Sequence, residues 1–285
     1  MSKIKEYRNR IKSIKNIKKI TKSMQMIAVS KMRKAEKIAK SGKLYNRNIV
    51  DLFRLISKDT DLKKNPLFSK RDEGKKLMVV FSPNRGFAGS LLISEMNLFL
   101  NKLKEFNGEG VEVIIVGRKL KKYVSSKAAN VVADFSTIGE NPTIQEIKAI
   151  SKIIMDNYIS GIYNEVYILY ADYVNTLVQK PTLIRLLPAN MEEFASEKDI
   201  FKEREFLFEP GKESLLDSLV SLYIDNTLYQ LRAETVASEY AARMTAMKNA
   251  TDKAEDLGYA LNLELNKLRQ DMITRELGEI TSSTI

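Results

Sequence analysis

The 285-residue chain contains no histidine, no cysteine and no tryptophan. Those absences exclude more than its length does. Without His or Cys, the usual zinc sites, a Ser-His-Asp triad and a thiol nucleophile cannot be assembled. No disulfide or thiol switch is available, which fits a reducing compartment. Long apolar runs are missing too: the longest stretch without a charge is nine residues, 86–94, against the ~20 that a membrane span requires. The N-terminus has no apolar core followed by a small-residue cleavage site, so no secretory signal is expected. What remains is 44% apolar and 29% charged, an ordinary composition for one large domain or two modest ones.

Helix breakers are scarce at both ends. No proline precedes Pro66 and Gly42 is the only glycine before it; from Lys212 to Leu277 there is no proline and one glycine, Gly258. Charge is also uneven. Residues 1–43 carry 15 Lys/Arg against Glu6 and Glu36, while the rest holds 32 basic and 34 acidic residues, so the formal +11 belongs to one segment. Such a segment suits nucleic acid, an anionic membrane surface or an acidic protein partner, or is simply a solvated helix face.

Within it, Ile4, Tyr7, Ile11, Ile14, Ile17, Ile20, Met24 and Ile27 recur at steps of three and four. The spacing predicts a helix over about 3–56, roughly 80 Å long at ~1.5 Å per residue. Near the other end, Tyr229, Ala233, Val236, Tyr240, Met244, Met247, Ala250, Ala254, Leu257, Leu261, Leu265, Leu268 and Met272 repeat similarly. This second helix could reach about 100 Å. Its small residues, Ala237, Ala241, Ala242, Ala246, Ala250 and Ala254, would admit a close neighbour. Neither helix can bury its stripe against itself. The simplest arrangement pairs them as an antiparallel coiled coil with the middle of the chain inserted between them.

The middle alternates strand and helix patterns. Residues 77–82, 111–116, 131–135 and 165–171 are strand candidates, with helical patterns over 90–105, 118–127 and 143–160. Thr143 with Glu146 three residues later has the form of a capping box. A hairpin-like tail, Leu183 to Leu187 and then Glu205 to Phe208, follows. The expected fold is α/β: a Rossmann-like domain with a mostly parallel sheet, inserted in the coiled coil. The boundaries are 1–57 for the first helix, 70–190 for the α/β domain, 191–211 for a linker or hairpin and 212–285 for the last helix.

Chemistry is harder to find. Ser82-Pro83-Asn84-Arg85-Gly86-Phe87-Ala88-Gly89-Ser90 joins the first strand to a helix, a place where backbone N–H groups can cradle phosphate. It lacks the three spaced glycines of the dinucleotide fingerprint, and no Walker A pattern occurs. Tight-turn glycines are the plainer explanation. Asp252, Glu255 and Asp256 lie among Lys248 and Lys253, as on a solvated helix face. The basic helix offers phosphate-binding charge, but Tyr7 is nearly alone as a stacking aromatic. No catalytic constellation emerges.

The ends of the chain do resemble something known. KITKSMQMIAVSKMRKA at 19–35 looks like the N-terminal signature of the gamma subunit of F-type ATP synthase. SEYAARMTAMKNATDKA at 238–254 and LRQDMITRELGEI at 268–280 resemble the C-terminal signature of that family. SPNRGFAGS at 82–90 is similar to its central turn, and QKPTLIRLLP at 179–188 also fits. The resemblance covers the whole chain in order.

It implies a non-catalytic rotor of a bacterial enzyme: a coiled coil inside a ring of three alpha and three beta subunits, with the α/β domain meeting the epsilon subunit and the membrane c-ring. No cofactor, metal or nucleic acid is implied. By motif, Lys22, Met24, Gln25 and Met26 are expected near an acidic segment of the beta subunit. Arg33 and Lys34 continue the basic side, and Arg269, Gln270, Thr274 and Glu276 are expected at the inner loops of the ring. Pro83-Asn84, Leu91-Leu92 and Lys253 depart from the family pattern. No cysteine-bearing regulatory insertion and no transit peptide are seen, so the cytoplasmic face of a bacterial membrane is the expected location. The alternatives are a nucleic-acid-binding coiled-coil protein and a small α/β enzyme using the Gly86–Gly89 turn.

Overall fold

With no proline to interrupt them, two long helices form: α1 (Ser2–Ser57) and α5 (Lys212–Ser283). Between them run β1 (Lys75–Phe81), α2 (Leu91–Glu105), β2 (Val111–Val116), α3 (Lys121–Ser126), β3 (Asn130–Phe135), α4 (Ile144–Ile159), β4 (Tyr163–Tyr173) and β5 (Gln179–Leu187). The computed structural model describes residues 2–57, 65–106, 110–126, 130–189 and 211–283. The second half of the expected hairpin, Glu205 to Phe208, lies outside them. The chain divides into two compact units, Met1–Ser30 with Arg243–Ile285, and Lys31–Ala242.

The first unit is an antiparallel helix pair. Tyr7 meets Glu264, Ile14 rests on Gly258, Lys18 pairs with Glu255 at 2.8 Å, and the hydroxyls of Thr21 and Thr251 lie 2.7 Å apart. On α1, covered positions recur at alternating steps of three and four, Ile4, Tyr7, Ile11, Ile14, Lys18, Thr21, Gln25 and Ala28, with Met24 and Val29 half-buried beside them. On α5 they are Met247, Thr251, Ala254, Gly258, Leu261, Leu265, Leu268 and Met272, with the same alternation. This is the seven-residue repeat of a coiled-coil seam.

It corrects the stripe expected from hydrophobicity alone. Ile17, Ile20 and Ile27 are 46%, 59% and 55% exposed, and Met24 is half-buried. On α5, Leu257 is 48% exposed, while Thr251 and Gly258 hold the seam positions assigned to Ala250 and Leu257. The physical reason is the fixed period. A seam repeating every 3.5 residues passes through whatever residue stands there, and close approach suits Gly258 and a hydroxyl pair. The Thr21 hydroxyl also donates to the Lys18 carbonyl at 3.1 Å, so the polar layer is satisfied.

The second unit is built on a five-stranded sheet in the order β3-β2-β1-β4-β5. The first four strands are parallel, and β5 pairs antiparallel with β4 along the edge. Buried strand residues alternate between faces. Met78, Val80, Val113, Ile115 and Leu169 pack with Phe99 of α2 and Val124 of α3. Leu77, Val79, Phe81, Ile114, Val116 and Ile168 pack with Ile147, Ile150 and Ile154 of α4. The same core takes Ile49, Phe53 and Ile56 of α1 and Leu219, Val220, Ile224 and Leu228 of α5. Each such burial contributes about 1.5–3 kcal/mol before entropy.

α4 begins as its sequence says. Glu146 N–H donates to Thr143 Oγ1 at 3.2 Å, and Thr143 N–H donates to Glu146 Oε2 at 2.7 Å. In this unit, Asn46 donates to Thr227 and Gln230, and Asn226 donates to Asn46, at 2.6–3.1 Å, linking α1 to α5 through amides.

At the end of β2, Gly117 has φ of +103°, and a Cβ there would stand 2.3 Å from the Ser82 carbonyl oxygen. Both the left-handed backbone and the contact forbid a side chain. We expect Gly117→Ala to lower unfolding stability by about 2–4 kcal/mol, measured by urea denaturation of the full chain; an unchanged midpoint would refute the close approach.

Candidate functional site

Winding of the sheet reverses beside β1: β2 and β3 extend it one way, and α4 then carries the chain across to β4 on the other side. In open α/β sheets a ligand takes the crevice outside the strand ends at such a switch point. Here the Ser82–Ser90 turn leaves β1 at that crevice, with Phe87 at φ +62° and Gly89 at φ +57°. Two of its N–H groups are already engaged. Asn84 N–H donates to Glu239 Oε2 at 3.1 Å, and Arg85 N–H donates to Glu239 Oε1 at 3.3 Å. A carboxylate of α5 stands where a phosphate would be cradled.

Neighbouring residues of α5 complete the filling. Arg232 donates through Nη1 to the Ser82 carbonyl and through Nη2 to the Gly139 carbonyl, both at 3.1 Å. Ser238 Oγ donates to the Ala171 carbonyl on β4 at 3.0 Å. All of Leu231–Ala241 is buried, and Arg232, Ser238 and Glu239 are 0% exposed. The alanines expected to admit another helix therefore also admit a strand. Around this core, Glu140 accepts from Lys31 at 2.5 Å and pairs with Arg85 at 3.3 Å, while Lys31 sits 5.4 Å from the Tyr240 ring centre.

Two carboxyls here are displaced in opposite directions. Burial works to raise the Glu140 pKa, but hydrogen bonds from Lys31 and Tyr240 and the charges of Lys31 and Arg85 hold it below the usual range. Glu95 of α2 is 0% exposed, and neither of its oxygens has a hydrogen-bond partner. Burial, then the charge of Glu239, push its pKa well above the carboxylate range, against the pull of Arg232. Sequence reasoning missed Glu95, Arg232 and Glu239; a charge inside an otherwise apolar or small-residue helix face is the signal that could have marked them.

The residues expected to bind partners lie elsewhere, on helix surfaces. In the first unit Lys22 is exposed and donates to Gln25 Oε1 at 3.3 Å; Gln25 and Met24 are half-buried, and Met26 is 62% exposed. Helical spacing groups Met24 with the exposed Ile17, Ile20 and Ile27, and sets Lys22 with Met26 on another face. Arg33 and Lys34, in the second unit, are exposed. On α5, Arg269, Gln270, Thr274 and Glu276 are all exposed, and the Thr274 hydroxyl donates to the Gln270 carbonyl at 3.0 Å. Ile273, exposed as well, lies one turn beyond Arg269.

Among the described residues no group of acidic side chains could hold a metal ion, and no helix is long and apolar enough to cross a membrane. Arg232, Ser238 and Glu239 hold α5 in the sheet crevice, while apolar groups stay uncovered along helix faces. These features define an α/β unit whose ligand crevice is filled by its own helix.

The comparisons agree. The family described as ATP synthase matches residues 3–284. An ATP synthase gamma chain of Roseiflexus castenholzii is 35% identical over 287 residues, spanning 99% of this chain and 97% of the relative. Another, of Pasteurella multocida, is 36% identical over 287 residues, spanning 99% and 98%. The chain belongs to the ATP synthase gamma-chain family. Its fold is shared with a chain of the OSCP/F1/c-ring part of the Euglena gracilis mitochondrial ATP synthase (TM-score 0.64, 18% identity, 99% of this chain and 94% of that one). It is shared too with a chain of the Tetrahymena thermophila central stalk and c-ring (TM-score 0.59, 22% identity, 81% and 99%).

The raised Glu95 pKa has a checkable sign. Above the ordinary carboxylate range the folded chain holds a proton that the unfolded chain has lost, so stability falls as pH rises towards the native pKa. Glu95→Gln should melt with the wild type near pH 4 and exceed it increasingly towards pH 8, by about 1–2 kcal/mol. A pH-independent difference in melting would show that Glu95 is not held protonated.

Proposed function

We propose that the chain is the non-catalytic rotor of an F-type ATP synthase, coupling ion flow through a membrane sector to ATP synthesis or hydrolysis on other subunits. The single observation that carries this reading is the whole-length kinship with gamma chains. The structure supports it by filling its one switch-point crevice with its own helix. One copy stands within three alpha and three beta subunits, and its α/β unit meets the epsilon subunit and the c-ring. The complex lies on the cytoplasmic face of a bacterial membrane. Residues 1–57 and 212–285 form the shaft, 70–190 the foot and 191–211 a linker or hairpin.

The working surface comprises Lys22, Met24, Gln25 and Met26, continued by Arg33 and Lys34, with Arg269, Gln270, Thr274 and Glu276 at the C-terminal end. The exposed stripe Ile17, Ile20 and Ile27 belongs with Met24. Because the seam does not use these isoleucines, they are free to slide against a ring of acidic and apolar loops. Turning an asymmetric shaft then presents a different face to each beta subunit and biases its open and closed states, a coupling of binding free energies between sites. No observation favours the nucleic-acid alternative.

Native mass spectrometry on the tagged chain recovered from its own cells tests the assignment. One copy with three each of two larger chains, active as a Mg-ATPase only together, is expected; recovery with nucleic acid alone would overturn it. Two variants test the surface. Ile20→Ser with Ile27→Ser should leave the melting of the isolated chain within about 0.5 kcal/mol yet weaken assembly or ATPase activity; a large loss of stability would return both residues to the seam. Met24→Lys, which puts a charge on the moving interface, should lower the number of ions pumped per ATP by about half. Unchanged pumping in membranes of full composition would remove Met24 from the surface.

A further inference from the structure

We infer that the α/β unit uses its ligand crevice as a grip on the shaft, and that Glu239, Arg232 and Glu140 are the positioning residues that lock the helices against it. The inference rests on the rotor reading and deepens it by naming the joint through which load passes.

The geometry is that of ligand recognition turned inward. Glu239 engages two consecutive backbone N–H groups of the Ser82–Ser90 turn, Arg232 caps two carbonyls from separate loops, and Ser238 adds a third strand-end carbonyl. These three side chains come from two turns of one helix and reach the ends of both strands that flank the switch point. Glu140, on the loop before α4, then ties in the other helix through Lys31 and the turn through Arg85. Lys31 and Tyr240 lie at the limits of the unit, next to where each helix passes out of it.

Apolar burial alone would make a poor joint. It is non-directional, so a helix pressed on a sheet can slip or roll at small cost. Hydrogen bonds between buried charges and backbone groups have defined geometry, and breaking one strands a polar group away from water. A joint under torque needs that directional resistance. The crevice supplies fixed donors and acceptors side by side.

The test uses the assembled complex with Glu239→Gln, and with Glu140→Gln as the milder, partly exposed second variant. Three quantities are measured: subunit composition, Mg-ATPase activity, and ions pumped per ATP against an opposing gradient. Hydrogen exchange at the Asn84 and Arg85 amides is followed in parallel. For Glu239→Gln we expect those amides to exchange at least about tenfold faster, equivalent to about 1.4 kcal/mol. For both variants ATPase should persist while ions per ATP fall as the gradient grows. Glu140→Asp, which keeps a carboxylate facing Lys31 and Arg85, should pump better than Glu140→Gln under the same load.

Unchanged exchange in Glu239→Gln overturns the grip. So does full pumping under load by Glu140→Gln in complexes of complete composition. If Glu239→Gln fails to assemble, Glu140→Gln and Glu140→Asp decide. A wild-type complex that lacks this chain would overturn the rotor reading instead, so the two failures are distinguishable.

Discussion

The carboxylate of Glu239 on the N–H groups of Asn84 and Arg85 is the contact on which the second unit depends. A strand-to-helix turn in an α/β sheet necessarily leaves donors pointing outward. Something negative must meet them, or water must. In this chain the negative group comes from a helix more than 150 residues further on. That one choice places Arg232 over the Ser82 carbonyl and Ser238 over Ala171, because helical spacing then leaves them nowhere else to reach. It also brings a negative charge near Glu95, whose pKa is raised first by its own burial and then by Glu239.

The same logic of fixed spacing governs the helix pair. In the first unit a seven-residue period sends the seam through Lys18, Thr21 and Gln25, although bulkier apolar residues stand one position away. Apolar burial alone would favour the isoleucines. What decides against them is that both helices must keep their seams facing each other over many turns, and Thr251 and Gly258 match Thr21 and Ile14 in close contact. A seam containing a hydroxyl pair costs some apolar burial but fixes register, since a slipped pairing would leave the hydroxyl against an apolar neighbour. The displaced isoleucines become a surface.

Much of this was legible in the sequence, and the limits are physical. Missing prolines announced both long helices, and β-branched runs announced β1 and β2, because those signals are local. Thr143 and Glu146 announced the start of α4 for the same reason. The seam was misassigned at Ile17, Ile20, Ile27 and Leu257 because a period of three or four fits two adjacent stripes, and only the partner helix chooses between them. The switch-point turn was recognised as a place for an anion, but its occupant could not be named. Glu239 sits amid charges and alanines that resemble a solvated face until the sheet folds against it. The residues proposed to bind partners are implied by family likeness alone, since exposed side chains on a helix carry no local pattern that separates contact from solvation.

Two ways of spending side chains therefore coexist in one helix. Between Leu231 and Ala241, α5 is buried on every side, and Arg232, Ser238 and Glu239 are directed at backbone atoms of the sheet unit while Glu234 pairs with Lys43 of α1. Beyond Leu268 nearly every residue is exposed, with Arg269, Gln270, Thr274 and Glu276 alongside Ile273. A lone protein gains nothing from keeping large apolar residues such as Ile273 in water, and scattered examples need no explanation. Here they accompany uncovered isoleucines on α1 and a kinship with gamma chains. The helix is held where the sheet grips it and uncovered beyond Leu268, which is the distribution a transmitting element requires: one end must not yield, and the other must be reachable.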